Sequence, residues 1–283
     1  MHKTRFVPLF LTLILPIFAG AQSIELQLVW ETDTTLRTAE SVLFHPSQQV
    51  LYVSCINGSA SRENKNSYIA KVGLDGKVVQ LKFVDKLNVT KGMALLGDKL
   101  YVTEITQVTE IDLITGNVLN RYPVPNATFL NDIAVDSTKQ VLYVTDSKES
   151  KMWSLANGKV QLISAGGLLK GTNGLLVDGH QVLIGHGDGA LLGLNPATKE
   201  IHTMANVMGT SSNDGIVALG NGTYLINEVA GKVWYVGATG TTDLKLDLTS
   251  QQIKTADTDY NPGTRMLFIP TLFHNTVRAY SVR

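Results

Sequence analysis

A pattern of about forty residues recurs six times along this chain, and recurrence at that period leaves few folds open. Each copy opens with a polar residue and a short apolar run, turns tightly, and continues into a Leu-Tyr-Val-like run. The copies start at Glu40, Lys91, Asn131, Asn173, Asp214 and, more weakly, Ala256, and their second runs start at Leu51, Leu100, Leu142, Leu183, Tyr224 and Leu267. Successive starts lie 51, 40, 42, 41 and 42 residues apart by subtraction. The longer first interval holds a polar stretch, Asn57 to Asn66, which reads as a loop insertion. A third alternating run follows in each copy, as at Val108 to Leu113 and Lys232 to Val236, and then a turn such as Asp75-Gly76, Thr115-Gly116 or Asn157-Gly158. A fourth run closes the unit. No stretch carries a helical period, which argues against alternating β/α folds. Six four-stranded units, each with two faces to bury, predict an all-β fold: a six-bladed β-propeller of antiparallel blades. The sixth unit ends after its third strand, Val277 to Val282, while Ile24 to Glu31 precedes the first unit without a partner. This N-terminal strand is expected to complete the sixth blade and close the ring.

Residues 1–21 stand outside the repeat. His2, Lys3 and Arg5 precede an apolar run from Phe6 to Phe18, and Ala19-Gly20-Ala21 supplies small residues for cleavage. That is the form of a secretory signal peptide; the run is too short and too broken by proline for a membrane span. The expectation is a single propeller domain over 22–283, secreted or periplasmic, with no membrane span. Lys and Arg together equal Asp and Glu, 24 of each, so a nucleic-acid partner is not expected. Cys55 is the only cysteine, so no internal disulfide forms.

The inner strand of a propeller blade begins near the central channel, so the six aligned starts are expected to form a ring at one mouth of it. Glu40, Lys91, Asn131, Asn173, Asp214 and Ala256 offer two carboxylates, two amides and one ammonium. Carboxylate and amide oxygens suit a hard cation such as calcium. Asn131, Asn173 and Asp214, each taken alone, also suit turn caps that bond nearby backbone amides. The ends of the second strands, aligned as Cys55, Glu104, Asp146, Gly187, Glu228 and Thr271, are expected at the same face, with Glu104, Asp146 and Glu228 as candidate substrate contacts.

Four segments carry a resemblance: Ala39-Glu40-Ser-Val-Leu-Phe, Leu130-Asn131-Asp132-Ile-Ala-Val-Asp136, Thr172-Asn173-Gly174-Leu and Asn213-Asp214-Gly215-Ile. Together with the blade pattern they resemble the regucalcin–gluconolactonase family of six-bladed propellers, closest to secreted bacterial members with a Lys-Gly-Met-like segment. The resemblance implies a divalent metal, most often calcium, held by Glu40, Asn173 and Asp214, with Asn131 binding water or substrate. It implies hydrolysis of a small lactone or ester, in which Asp214 takes the proton of water and Asn131 orients the carbonyl. Lys91 then either pairs an anion of the substrate or forms a salt bridge inside the ring. The chain departs from the sugar lactonases at Phe129, where they carry an arginine that contacts the sugar acid. No nucleophile elbow surrounds Ser147, and no His stands at an aligned ring position. The competing readings are a propeller that binds a small molecule, peptide or glycan without chemistry, with Lys91 in the cation's place, and a metal that only stiffens the mouth.

Overall fold

Runs of Val, Ile, Leu and Tyr that alternate with smaller polar residues cannot bury both faces as isolated hairpins, and in this chain they stack. The structure, a computed structural model, describes residues 24–283 apart from 64, 208 and 210; the expected signal peptide lies outside the described residues. Twenty-four strands form six antiparallel sheets of four. The first blade is Ala39–His45, Val50–Cys55, Ser67–Gly73 and Val78–Leu87, in that order from the inside out, and blades two to five repeat this order along the chain. The described residues contain no α-helix, only 3-10 turns at Gly167–Leu169 and Thr249–Gln251, and none long and apolar enough to cross a membrane.

The sixth blade closes as the sequence predicts. Its inner strands are Asp259–Asn261, Met266–Pro270 and Val277–Val282, and Leu26–Glu31 pairs antiparallel with the last of these, Leu26 opposite Val282 and Glu31 opposite Arg278. The hairpin turns also follow their residues: Asn157 and Gly158 both have positive φ, the requirement of a two-residue hairpin turn.

The apolar residues form a cluster between each pair of neighbouring blades. Tyr52, Phe83, Met93 and Leu100 join blades one and two. Tyr101, Ile133 and Trp153 join two and three. Phe44, Phe268 and Ala279, with Trp30 packed against them, join six and one.

Polar groups tie the blades together nearer the axis. In four blades the residue before the end of the second strand bonds the backbone carbonyl of the next blade's ring residue. The hydroxyls of Ser54 and Thr145 donate to the carbonyls of Lys91 (2.8 Å) and Asn173 (3.0 Å). Thr103 does the same to Asn131, and the Asn227 amide to Ala256. In blade four the position is Gly185, and the backbones themselves touch: a Cβ there would lie 2.5 Å from the Asn213 carbonyl oxygen. These buried hydrogen bonds fix the height and direction of the ring residues around the channel.

Candidate active site at the channel mouth

Five of the six aligned starts meet at one end of the channel. Glu40, Lys91, Asn131, Asn173 and Asp214 are each between 5 and 8% exposed, and Ala256 is buried. The Lys91 Nζ donates to Glu40 Oε1 at 3.1 Å and lies 4.6 Å from the centre of the Phe129 ring. Asn131 Nδ2 donates to Asn173 Oδ1 and to Ser147 Oγ, the latter at 3.2 Å. Asn173 in turn hydrogen-bonds the Asp214 carboxylate. The sixth position departs: Ala256 contributes only backbone, and the carboxylate there belongs to the next residue, Asp257, which accepts from Ser41 Oγ at 2.5 Å. Lys91 precedes its inner strand, Met93–Leu96, but its N–H still continues the ladder to the Thr103 carbonyl at 3.0 Å.

Negative charge is concentrated here beyond what the ring alone suggests. Asp214 is pushed well above the usual carboxylate range by burial, then by the charges of Glu40 and Asp132; Lys91 and the Asn173 hydrogen bond oppose this. Burial raises Glu40 as well, against the pull of Lys91. Asp257 is raised by burial and by Asp132 and Asp214; it is part-exposed and helps to line the channel cavity. Four carboxyls thus share one ammonium in a low-dielectric space, where unbalanced charge is costly, so protons or a cation must complete the balance. Glu40 Oε2 is buried with no hydrogen-bond partner.

That orphan oxygen tests the expected metal. Glu40, Asn173 and Asp214 supply oxygen donors, one carboxylate oxygen is unspent, and a carbonyl oxygen such as Asn173 Oδ1 has two lone pairs, only one of them used by Asn131. The donor set fits a hard cation. Among the described residues no three His, Cys, Asp or Glu side chains gather closely enough to hold one, so the set would depend on the Asn173 amide.

The second ring does not reach the mouth. Glu104, Asp146 and Glu228 are 2, 0 and 0% exposed and are engaged inside their own blades. Glu104 accepts from Gln107 Nε2 (2.8 Å), the Thr109 hydroxyl and the Asn88 N–H. Asp146 accepts from the N–H groups of Thr128 and Glu149, both at 3.1 Å. Glu228 accepts from Ser211 Oγ (3.1 Å) and Trp234 Nε1 (3.3 Å). These carboxylates hold the connecting loops down on the blades. In blade four the equivalent residue is His186 rather than Gly187: His186 pairs with Thr172 as Asp146 pairs with Leu130 and Glu228 with Asn213. Its Nδ1 lies 2.6 Å from Asp188 Oδ1. Cys55 is fully buried, and burial pushes its thiol up to about 12, which removes it as a nucleophile.

The aspartates on the inner strands below the ring were not singled out by the sequence. Asp132 accepts from the N–H groups of Ile133 (2.7 Å) and, across the blade boundary, Leu175. Asp259 accepts from the N–H of Phe44 in blade one and from Tyr260, both at 2.7 Å. Both face a channel cavity of about 220 Å³, otherwise lined mainly by apolar residues such as Val42, Met93 and Val177. Burial raises Asp132 to about 7 and Asp259 to about 6, although the backbone amides oppose it. A carboxyl whose folded pKa is raised stabilises the fold fully below its unfolded value, and that stability is lost as pH rises through the folded value. Glu31 and Glu110 are lowered and act in the opposite sense, in more acidic solution. With chelator present, the melting temperature is therefore expected to fall by several degrees from about pH 5 to about pH 7.5. A flat or rising curve by circular dichroism would show that these carboxyls ionise freely.

No family model matches this chain, and no curated protein matches it. Solved structures do. A catalytically inactive virginiamycin B lyase from Staphylococcus aureus, crystallised with quinupristin, matches with a TM-score of 0.65 at 11% identity, covering 92% of this chain and 99% of that one. A streptogramin B lyase matches with a TM-score of 0.66 at 10% identity, covering 92% and 98%. The WD40 β-propeller domain of Doa1 matches with a TM-score of 0.64 at 15% identity, covering 85% and 77%. At these identities the likeness shows the propeller fold alone.

Proposed function

We propose that this protein is a secreted or periplasmic hydrolase of a small lactone or ester, gluconolactonase-like, working at the channel mouth with a divalent cation, calcium first. The observation that carries the reading is Glu40 Oε2, a buried carboxylate oxygen without a partner, beside Asp214 and Asn173 in a cluster with more carboxyls than cations. A lyase, the virginiamycin B lyase crystallised with quinupristin, is built on the same fold, which is compatible with the enzymatic half of it.

Glu40, Asn173 and Asp214 would hold the ion, which would polarise the substrate carbonyl and stabilise the oxyanion. The protein groups do the rest. Asp214, placed beside the ion and the attacking water, accepts the proton of that water. Asn131, its Nδ2 held by Asn173 and Ser147, keeps its Oδ1 to orient the attacking water. Lys91 sets the charge on Glu40 and lies next to the developing anion.

One observation favours a second reading, a propeller that binds a ligand without chemistry: the Lys91–Glu40 pair already places a positive charge in the ring. Calorimetric titration of the chelator-treated protein with calcium decides between them. About one ion per chain is expected, with at least about tenfold weaker binding in Glu40→Gln, and with affinity rising with pH because Asp214 must release its proton. A screen of lactones and esters with and without the ion then follows. If calcium, magnesium, manganese and zinc all fail to bind, the metal-dependent hydrolase is wrong and the binding reading stands.

A further inference from the structure

The hydrogen-bond donors at the mouth are largely engaged within the ring, and the free oxygens of Glu40 and Asn173 are those assigned to the cation. Asn131 Nδ2 donates to both Asn173 and Ser147, Asn173 bonds Asp214, and the Lys91 ammonium lies between Glu40 and the Phe129 ring. The three acids expected to contact a substrate are turned into the blades. Few donors are left there to replace the water around a polyhydroxylated ligand, and unreplaced hydrogen bonds weigh against binding.

The apolar side is open. Phe129 is half-buried at the start of blade three. Its ring covers Lys91, and its carbonyl accepts from the N–H of Ser147 at 3.1 Å, which ties it to the residue that positions Asn131. Two more large apolar side chains stand on loops of the same face, Leu168 at 50% exposure and Phe273 at 67%. We infer that Phe129 is the specificity-determining wall of this mouth, and that it selects an uncharged substrate with an aryl or alkyl group in place of a polyol. This deepens the lactone or ester reading and rests on it for the reacting group.

Lactams mimic lactones without being hydrolysed, so binding separates from turnover. The probes are a phenyl-substituted six-membered lactam and a polyhydroxylated lactam of the same ring size, measured by calorimetry on the metal-loaded full chain. The phenyl lactam is expected to bind about tenfold tighter, the scale of a good aromatic contact. Phe129→Ala removes the preference; Phe129→Leu, which keeps an apolar wall, retains part of it. Melting curves confirm that both variants fold. Equal or tighter binding of the polyhydroxylated lactam, a preference that survives in Phe129→Ala, or no binding of either lactam overturns the assignment of Phe129. A preference without hydrolysis of the matching phenyl lactone leaves that assignment standing and removes the hydrolase. Hydrolysis of lactones without a preference does the reverse.

Discussion

Replacing Gly174 with alanine is expected to break the ring at the boundary of blades four and five. A Cβ on Gly174 would lie 1.5 Å from the Asp214 carbonyl oxygen and 2.5 Å from its carbonyl carbon. Both are backbone atoms of the neighbouring inner strand, so no side chain can turn aside to make room. The same close approach recurs at Gly92, against the Cα of Asp132 at 2.8 Å, and at Gly215, against the N of Thr258 at 2.2 Å. The glycine after the ring residue is therefore what lets inner strands touch at the axis. To accept one methyl group the two strands must separate by about 2 Å, well beyond what close-packed interiors absorb. The expected result is a melting temperature lower by about 10 °C or more, or no soluble protein at all. Because Asn173 and Asp214 flank the clash, the calcium binding proposed for the mouth should weaken with it. Gly97→Ala is the contrast: φ is +62° there and nothing lies within 4 Å of the new Cβ. It should cost only left-handed strain, about 1–2 kcal/mol. Equal melting of Gly174→Ala and the parent chain would mean that the blades do not meet at the axis as described.

The same geometry explains which parts of the site the sequence made legible. Blade number, strand order and the closing strand follow from a pattern of apolar runs and turns, and such patterns survive wide variation in residue identity. Glu40, Lys91, Asn131, Asn173 and Asp214 stood out because a repeat converts equal sequence position into nearness in space, and the structure brings those five together. Asp257 and Asp259 did not stand out, because the sixth copy diverges and its alignment rests on Ala256, one residue short of the first carboxylate. The second ring was misplaced for two other reasons, a one-residue slip in blade four and, at the three acids, the pull of the connecting loops. Strand side chains alternate between faces, so an error of one residue exchanges a channel-facing position for a flank-facing one. His186 rather than Gly187 ends the blade-four strand, and Glu104, Asp146 and Glu228 turn to the connecting loops because those loops carry amides and hydroxyls that need acceptors. No spacing rule in the sequence announces where such loop amides will lie.

Removing residues 24–31 should leave a chain that no longer melts as one unit. The strand Leu26–Glu31 is the outer edge of blade six, and its loss exposes the ladder groups of Val277–Val282, a ready template for aggregation. It also supplies contacts that no other strand replaces. Trp30 lies 5.9 Å from Phe268, ring to ring, and covers the turn at Gly76 in blade one, so it joins the last blade to the first. Glu31 pairs with Arg278 at 3.0 Å and accepts from the Thr276 hydroxyl at 2.6 Å. Ile24 and Leu26 pack against the cluster between blades five and six. Burial of one large aromatic is worth about 4–5 kcal/mol as an upper figure, and a domain's whole stability is about 5–15 kcal/mol. Truncation is therefore expected to abolish the cooperative transition in differential scanning calorimetry and to drive the chain into aggregates. A synthetic peptide spanning residues 24–32, added during refolding, should restore part of the transition by adding the missing strand. Trp30→Ala separates the two contributions: it keeps the ladder, removes the bridge between blades, and should lower the melting temperature without aggregation. If the truncated chain melts within a few degrees of the intact one, the ring is held by its interblade clusters alone and the closing strand is dispensable.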